Sequence, residues 1–314
     1  MKKILFTLLA GLFGISSFGQ TPTEDGKSLI EAYVSPLGYS LGAALNNGWY
    51  NTAKPHKLGG FDVTITANIV MIPEESKSFN ISESNGNTFS GGETPTILGN
   101  GDGVSASYNA PPLPATSSDM PKGLNIPIIP LPMLQAGVGL IKGTELDFRY
   151  MPELPIGDAG KVGLFGIGLK HDILQWLPIV DKIPIDLSIQ AGYTKLSSEI
   201  ELIAPNPAIP SPQANLDVSA TTVNLILSKK LLMFTPYLGL GYNSTKTTFN
   251  VEGNYNVAGL PIDVSDLTKI DFESKNNFRA DIGFRFNIAV LALQANYTFS
   301  EYPTATLGAG ISLR

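Results

Sequence analysis

The chain has no cysteine among its 314 residues and only two histidines, His56 and His171. The missing thiols exclude disulfide bridges, thiolate metal sites and cysteine nucleophiles. The two histidines show no H-E-x-x-H spacing, and no serine stands in a recognisable hydrolase triad. We therefore expect no cofactor, no metal site and no enzymatic activity.

Positive charge is also scarce. Lysine and arginine number 21 against 27 aspartates and glutamates, a net charge of −6. Loss of Lys2 and Lys3 with an N-terminal leader leaves 19 basic and 27 acidic residues, a net charge of −8. Nucleic acid is excluded as a partner on this ground, because binding to its backbone needs a basic surface.

Long hydrophobic runs are missing after the N-terminus, so no membrane-spanning helix is expected. The mean hydropathy is nevertheless positive at +0.11, only 15% of the residues are charged and 32 are glycines. Apolar residues spread singly over many short segments are typical of a transmembrane β-barrel, which carries them on its outer wall.

The N-terminus has the three parts of a secretory signal peptide. Lys2 and Lys3 precede an apolar stretch at residues 4–15, and small residues follow up to Gln20. We expect residues 1–20 to be removed on export.

Period-two alternation is clearest in the last part of the chain. Three predicted strands there each place apolar side chains on one face and polar or small ones on the other. The apolar faces are Phe278, Ala280, Ile282, Phe284 and Phe286, then Leu291, Leu293, Ala295, Tyr297 and Phe299, then Leu307, Ala309, Ile311 and Leu313. Similar patterns begin at Phe61 and recur from Leu134 to Tyr242, with exceptions at Val162, Leu164 and Ile226.

The connections between these strands alternate between long loops and short turns. Outer-membrane barrels have long external loops and short periplasmic turns, with both termini in the periplasm. The pattern predicts an all-β transmembrane antiparallel β-barrel of about ten to fourteen strands. We divide the chain into residues 1–20 (signal peptide), 21–57 (N-terminal helix and plug segment) and 58–314 (barrel), with a long external loop at 73–132.

Two short helices are predicted. Residues 23–34 carry apolar side chains at helical spacing, with Asp25 as N-cap and Pro36 closing the segment. Residues 171–180 include Trp176 and should form an interfacial helix at the inner rim.

Charged side chains on the polar strand faces should point into the lumen. The candidate lumen-lining residues are Glu145, Asp147, Arg149, Lys170, Tyr237, Arg279, Asp281 and Arg285. Either they select a polar or anionic solute, or they neutralise one another and fill a narrow barrel, and we favour the second alternative. Tyr237 shares its strand face with Gly239 and Gly241, so a hollow beside it is expected.

Aromatic side chains on the apolar faces fall late in their strands. Such positions are typical of the aromatic girdle at a membrane interface. The predicted interfacial residues are Trp176, Tyr150, Tyr193, Tyr242 and Tyr297.

The signal peptide, the N-terminal helical segment and the alternating strands resemble Gram-negative outer-membrane barrels of the long-chain fatty-acid transporter type. The sequences GWYNTAKPHK (residues 48–57) and GLKHDILQWLP (residues 168–178) look like motifs of an uncharacterised family of exported proteins. The resemblance implies a plug in the barrel and a hydrophobic cargo, but it transfers no functional residue. The C-terminus departs from that type, since it ends in Arg314 and not in an aromatic residue.

Three functions remain open at this level. The first is a porin-like channel or transporter for a small solute, hydrophobic or polar, in the outer membrane of a Gram-negative bacterium. The second is a closed barrel that presents the 73–132 loop for adhesion or docking. The third is a soluble secreted β-sandwich that binds a ligand. The expected partners are outer-membrane lipid and such a solute.

Overall fold

The computed structural model describes residues 20–84, 88–108, 116–155, 160–177, 184–201, 213–252, 254–257, 260–263, 269–274 and 278–313. The fold and the contacts of the protein are those of these residues.

Ten long antiparallel strands form a closed barrel. In chain order they are β1 (Phe61–Met71), β2 (Ile128–Gly139), β3 (Thr144–Pro155), β4 (Gly160–Asp172), β5 (Asp186–Glu201), β6 (Gln213–Ser228), β7 (Phe234–Glu252), β8 (Phe278–Ile288), β9 (Leu291–Phe299) and β10 (Thr304–Leu313). Each strand pairs with the next, and β1 pairs with β10 to close the sheet. The short strand Ile270–Glu273 also pairs with β7, beyond the start of β8. The predicted antiparallel barrel is confirmed, at the lower limit of the predicted strand number.

The two ends of the barrel differ in their connections. At one end, called the turn end, lie residues 140–143, 173–177, 184–185, 229–233 and 289–290, together with the start of β1 and the end of β10. In the connection between β2 and β3, Lys142 and Gly143 both have positive φ values, 56° and 63°, and the Leu140 N–H donates to the Thr144 carbonyl at 2.8 Å, which closes a three-residue loop. The opposite end, called the loop end, carries the long connection between β1 and β2, described at residues 72–84, 88–108 and 116–127.

The predicted helix at residues 171–180 is shorter in the structure. Strand β4 continues through His171 and Asp172 because His171 pairs with Thr144 of β3. Only Leu174–Trp176 forms a 3₁₀-helix, and residues 178–180 lie outside the described part of the chain. The indole nitrogen of Trp176 donates to Nε2 of His171 at 2.9 Å.

Helix α1 spans Gln20–Asn46 and is much longer than the predicted helix at residues 23–34. Asp25 therefore lies inside the helix and is not its N-cap, and Pro36 lies in its interior. Proline removes one backbone hydrogen bond from a helix. The buried side chains on both sides of Pro36, such as Tyr33 and Leu45, are packed in the main apolar core, and this packing outweighs the loss.

The polarity of the barrel wall reverses along its height. Near the turn end, the outward side chains are apolar and exposed, such as Leu225 and Leu240, whereas the inward ones are polar, such as Asn224. Near the loop end, the inward side chains of the same strands are apolar. They include Leu196, Leu216, Val218, Phe249, Met151 and Leu164, all buried. The side chains continue to alternate inward and outward across this change. The reversal therefore comes from the sequence: the inward positions change from polar to apolar residues.

Helix α1 is the centre of the apolar half. Ile30, Tyr33 and Val34 pack in one buried cluster with the inward side chains of the wall. Gly38 and Gly42 permit a close approach: a β-carbon at Gly42 would lie 2.4 Å from Thr245 of β7. The exception predicted at Leu164 is explained here, because Leu164 belongs to this cluster.

Residues 72–84, 88–108 and 116–127, between β1 and β2, fold over the first half of α1 and are called the cap. Short strands Ser78–Asn80 and Glu93–Pro95 form one small sheet, and Phe89–Ser90, Ser105–Tyr108 and Thr116–Asp119 form another. Leu29 of α1 packs with Ile81, Ala106 and Met120 of the cap. The Tyr33 hydroxyl donates to the Lys122 carbonyl at 3.0 Å, and burial raises the pKa of Tyr33 to about 12.

No helix within the described residues has the length and hydropathy needed to cross a membrane.

Candidate functional site: the filled lumen

Below the end of α1, an irregular stretch of chain fills the polar half of the barrel. This lumenal segment comprises residues 47–57, which lie between α1 and β1, and most of its side chains are buried. Irregular backbone leaves its N–H and C=O groups without the regular partners of a helix or sheet, so the wall has to supply them. The polar inner face of the wall lies where this segment runs, and the apolar inner face lies where the helix runs.

The C-terminus of α1 meets two buried arginines. The last carbonyls of a helix have no donor within the helix, and cations near them are favoured by the helix dipole. Arg149 of β3 donates from Nη1 to the Leu45 carbonyl at 2.8 Å and from Nη2 to the Asn47 carbonyl at 2.7 Å. Its Nε donates to Gln135, and its guanidinium lies 3.7 Å from the centre of the Trp49 ring.

Arg279 of β8 approaches the same helix end from another side. Its Nη1 donates to the Asn46 carbonyl at 2.7 Å and to Oδ1 of Asn47 at 2.8 Å. Nε and Nη2 both donate to Oδ1 of Asn224 on β6. We call Arg149 and Arg279 the arginine clamp. Asn68 of β1 completes the set by donating to the Ala44 carbonyl at 2.6 Å.

Trp49 is the largest side chain of the lumenal segment and is only 1% exposed. Its ring lies against Gly168 of β4 and Gly192 of β5, where added β-carbons would come within 2.6 Å and 2.4 Å of the ring. Ile226, an exception in the predicted alternation, packs in the same small cluster. The glycines thus make the room that Trp49 occupies.

Tyr50 enters the hollow predicted beside Tyr237. Its hydroxyl donates to Oδ2 of Asp281 at 2.6 Å, and its ring meets that of Tyr237 edge to face at 5.8 Å. A β-carbon at Gly239 would lie 2.2 Å from the Tyr50 hydroxyl oxygen. The hollow is therefore filled by the chain itself.

His56 anchors the segment near the turn end. Its backbone N–H donates to Oε2 of Glu145 at 2.6 Å, and its Nδ1 lies 2.7 Å from the same oxygen. Lys170 of β4 donates to Oε1 of Glu145 at 2.6 Å. All three side chains are buried, and the Lys170–Glu145 ion pair together with the His56–Glu145 contacts links the segment to two strands.

The middle of the segment is bound in the same way. Arg285 of β8 donates from Nη1 to Oδ1 of Asn51 at 2.6 Å. The backbone N–H of Ala53 donates to the Ser228 hydroxyl at 3.0 Å, and the Ser188 hydroxyl donates to the Ala53 carbonyl.

All eight candidate lumen-lining residues lie on the inner face of the wall and are at most 4% exposed. Five of them hydrogen-bond or ion-pair directly with residues 45–57: Glu145, Arg149, Arg279, Asp281 and Arg285. Tyr237 contacts Tyr50 through its ring, and Lys170 acts through Glu145. Asp147 is the remaining member, and it is buried beside Gly137. Two ion pairs also join members of the set, Lys170 with Glu145 at 2.6 Å and Arg279 with Asp281 at 3.5 Å, so the charges contact both the N-terminal chain and one another.

Among the predicted interfacial residues, Trp176, Tyr150, Tyr193 and Tyr242 are exposed and Tyr297 is half-buried. Tyr150 is adjacent in sequence to Arg149, so the clamp lies at the level of Tyr150, whereas Trp176 lies at the turn end. Outward residues beyond Tyr193 and Tyr242 are polar, such as Lys195 and Lys246.

Sequence reasoning missed Asn46, Asn47 and Asn68, which join the helix end to the wall. The only available signal was the motif at residues 48–57, whose Trp49, Tyr50 and His56 are the anchors described above. Within the described residues, no group of three or more histidines or carboxylates could hold a metal ion.

The family model of a family of unknown function, DUF6588, matches residues 1–313. The chain belongs to this family. The prediction of an uncharacterised family is thus confirmed. No curated protein matches this chain.

Solved structures with a similar fold are distant. The translocator domain of the autotransporter NalP from Neisseria meningitidis is 10% identical with a TM-score of 0.34, covering 90% of this chain and 96% of that one. Ail, the attachment invasion locus protein of Yersinia pestis, is 10% identical with a TM-score of 0.26, covering 82% and 99%. A Pseudomonas aeruginosa FadL homologue is 10% identical with a TM-score of 0.23, covering 81% and 89%. Scores this low do not support the more specific resemblance to fatty-acid transporters.

Proposed function

We propose that this protein is an outer-membrane barrel, closed by its own N-terminal segment, that presents the cap and the start of α1 at the cell surface as a docking surface. Its role is non-catalytic. The observation that carries the proposal is the filled lumen: residues 47–57 are bonded to the wall from the arginine clamp down to His56.

The exposed apolar belt supports the membrane location. Side chains such as Phe165, Ile282 and Leu307 are about half exposed on the outer wall, an arrangement that water disfavours and lipid favours. The belt ends at the aromatic side chains, and the same strands continue with polar outward residues. We infer that the apolar-cored half with its cap projects beyond the membrane on the external side, because long connections are external in such barrels.

The absence of cysteine gives a direct test of orientation. Glu83→Cys places a single thiol in the cap, and Lys229→Cys places one in a connection at the turn end, where both native side chains are exposed. We expect a membrane-impermeant maleimide to label Glu83→Cys on intact cells and Lys229→Cys only after lysis. The opposite labelling would overturn the proposed orientation, and wild-type protein is the matched blank.

Closure is tested in planar bilayers. The wild-type protein, checked for folding by heat-modifiable migration, is expected to show no conductance. Steady open-channel current from folded wild-type protein would refute a closed barrel.

A gated channel is the second candidate, and the chemistry of the wall favours it. The lumenal segment is held mainly by hydrogen bonds to polar side chains, which water can replace if the segment moves. The vacated lumen would be lined by groups such as Gln190, Asn224 and Thr298. Such a wall suits a small polar solute better than the hydrophobic cargo of the long-chain fatty-acid transporter type.

Deletion of residues 21–57 distinguishes this candidate. The barrel without its plug should conduct, whereas the intact chain should not. If the deleted protein still migrates as a folded barrel and remains silent, the channel candidate is lost.

A further inference from the structure

A polar cavity of about 280 Å³ opens at the turn end, beside the lumenal segment. It lies between Thr52 of that segment and the ends of β7, β8 and β10. Its lining is Thr52, Lys230, Thr235, Arg285, Asn287, Ala289, Val290, Ser312 and Leu313.

The lining contains two cations and no carboxylate. Arg285 is 1% exposed, and its guanidinium is oriented by two amide oxygens: Nε donates to Asn287 at 2.8 Å and Nη1 to Asn51 at 2.6 Å. Lys230 is exposed at the mouth. One acid is near, since Oδ2 of Asp62 lies 3.9 Å from Nη1 of Arg285, behind the lining.

Hydroxyl groups complete the donor set. Thr52, Thr235 and Ser312 bring hydroxyl groups to the lining. That of Thr52 also lies 3.2 Å from the Ser228 hydroxyl and that of Ser312 lies 3.2 Å from Nε2 of His56, so each can donate to an oxyanion when it accepts from that neighbour. A buried arginine with a lysine and hydroxyls is a combination that recognises phosphate and carboxylate groups, because charge-assisted hydrogen bonds in a confined site are strong.

We propose that this cavity binds a small oxyanion, the phosphate or carboxylate group of a molecule at the turn end, through Arg285 and Lys230. The proposal rests on the closed barrel, with the lumenal segment in its bound position, but not on the orientation of the barrel in the membrane. The apolar part of the lining, Ala289, Val290 and Leu313, leaves room for a few carbon atoms beside the anionic group.

The site includes the plug as well as the wall. Thr52 belongs to the lumenal segment, and its hydroxyl lies 3.2 Å from that of Ser228 on β6. A bound anion would therefore contact the segment and β8 together, and its occupancy would favour the bound position of the segment.

The test uses the detergent-purified mature protein. Inorganic phosphate and acetate are titrated by calorimetry at constant ionic strength, with chloride as the reference anion. Lys230→Glu should weaken the binding at least about tenfold, the equivalent of one strong ionic contact. Lys229→Glu is the matched control, because it makes the same charge change one residue outside the lining and should leave the affinity nearly unchanged.

Arg285→Gln should abolish binding if the variant folds. If it does not fold, the comparison of Lys230→Glu with Lys229→Glu still decides the test. Heat of binding no greater than that of chloride, or equal weakening by both lysine variants, would overturn the site.

A second experiment distinguishes a lipid headgroup from a soluble anion as the ligand. Protein in nanodiscs of phosphatidylglycerol and of phosphatidylcholine is titrated with glycerol 3-phosphate. Loss of the titration in phosphatidylglycerol alone would assign the site to a lipid headgroup, whereas equal titration in both would assign it to a soluble anion.

Discussion

At the scale of single residues, the lumen depends on pairs in which one side chain requires a specific neighbour. Trp49 fits only because Gly168 and Gly192 have no side chains, and Tyr50 fits because of Gly239. Arg149 can be buried because the helix end offers it two carbonyls and Gln135 a side-chain oxygen. Each pair joins the N-terminal chain to a different strand.

Gly192→Ala should destabilise the barrel, because the new methyl group would overlap the Trp49 ring at 2.4 Å. Overpacking of this kind costs about 1 to 3 kcal/mol of unfolding free energy. The measurement is the urea midpoint of heat-modifiable migration. Adding Trp49→Leu should recover part of the loss, since contacting residues are not additive. Gly92→Ala in the cap, where nothing lies within 4 Å, is the control and should be neutral.

Arg149→Met should lower the unfolding free energy by about 3 kcal/mol, because two buried carbonyls lose a charged donor. The same urea titration measures it. Lys195→Met, an exposed outward position on β5, is the matched control. An unchanged midpoint for Arg149→Met would show that the clamp contributes nothing to holding the segment.

At the scale of elements, the reversal of wall polarity in β5 to β7 marks a boundary. Leu240 on β7 faces outward in the apolar belt, and Lys246 faces outward beyond Tyr242. A strand in lipid needs its apolar side chains on the outer face, whereas a strand around an apolar core needs them on the inner face. Strands β5 to β7 are long enough to contain one segment of each kind.

Fluorescence quenching can locate this boundary. In a Trp176→Phe background, Leu240→Trp should be quenched by bromine-labelled acyl chains, while Lys246→Trp should not. Both probes stand on the same face of the same strand, so they differ only in height. Equal quenching would place the membrane boundary elsewhere.

The sequence predicted the strands well because alternation is local: each side chain from Phe278 to Phe286 reports its own face. It predicted α1 poorly, because Pro36 is a local signal and the packing that overrides it comes from distant strands. The partners of the charged residues were also out of reach. Arg149 and Arg279 bind carbonyls of residues 45–47. Every residue has a backbone carbonyl, so the sequence does not indicate which ones are bound.

At the scale of the whole molecule, the path of the N-terminus differs from the expected one. Both barrel termini lie at the turn end, but the chain before β1 runs back through the lumen, and the first half of α1 reaches the cap at the loop end. A protein with this path would expose the start of its mature chain on the opposite side from its C-terminus.

This path predicts that an epitope inserted between Gln20 and Thr21 is reached by antibody on intact cells once the signal peptide has been removed. The same epitope after Leu313 should be reached only in permeabilised cells. Detection of the N-terminal epitope only after permeabilisation would contradict the path, provided that the Glu83→Cys control labels from outside.

The enclosure of α1 also has a consequence for the order of assembly. The helix has 27 residues and is therefore roughly 40 Å long, with a width of about 10 Å; Leu29 and Tyr33 pack under the cap, while the C-terminal end is held by the clamp. The seam from Phe61↔Leu313 to Val70↔Thr304 joins the first strand to the last. A barrel already closed along that seam would leave no opening wide enough for the helix. We therefore expect the sheet to form around α1 first, and β10 to pair with β1 last.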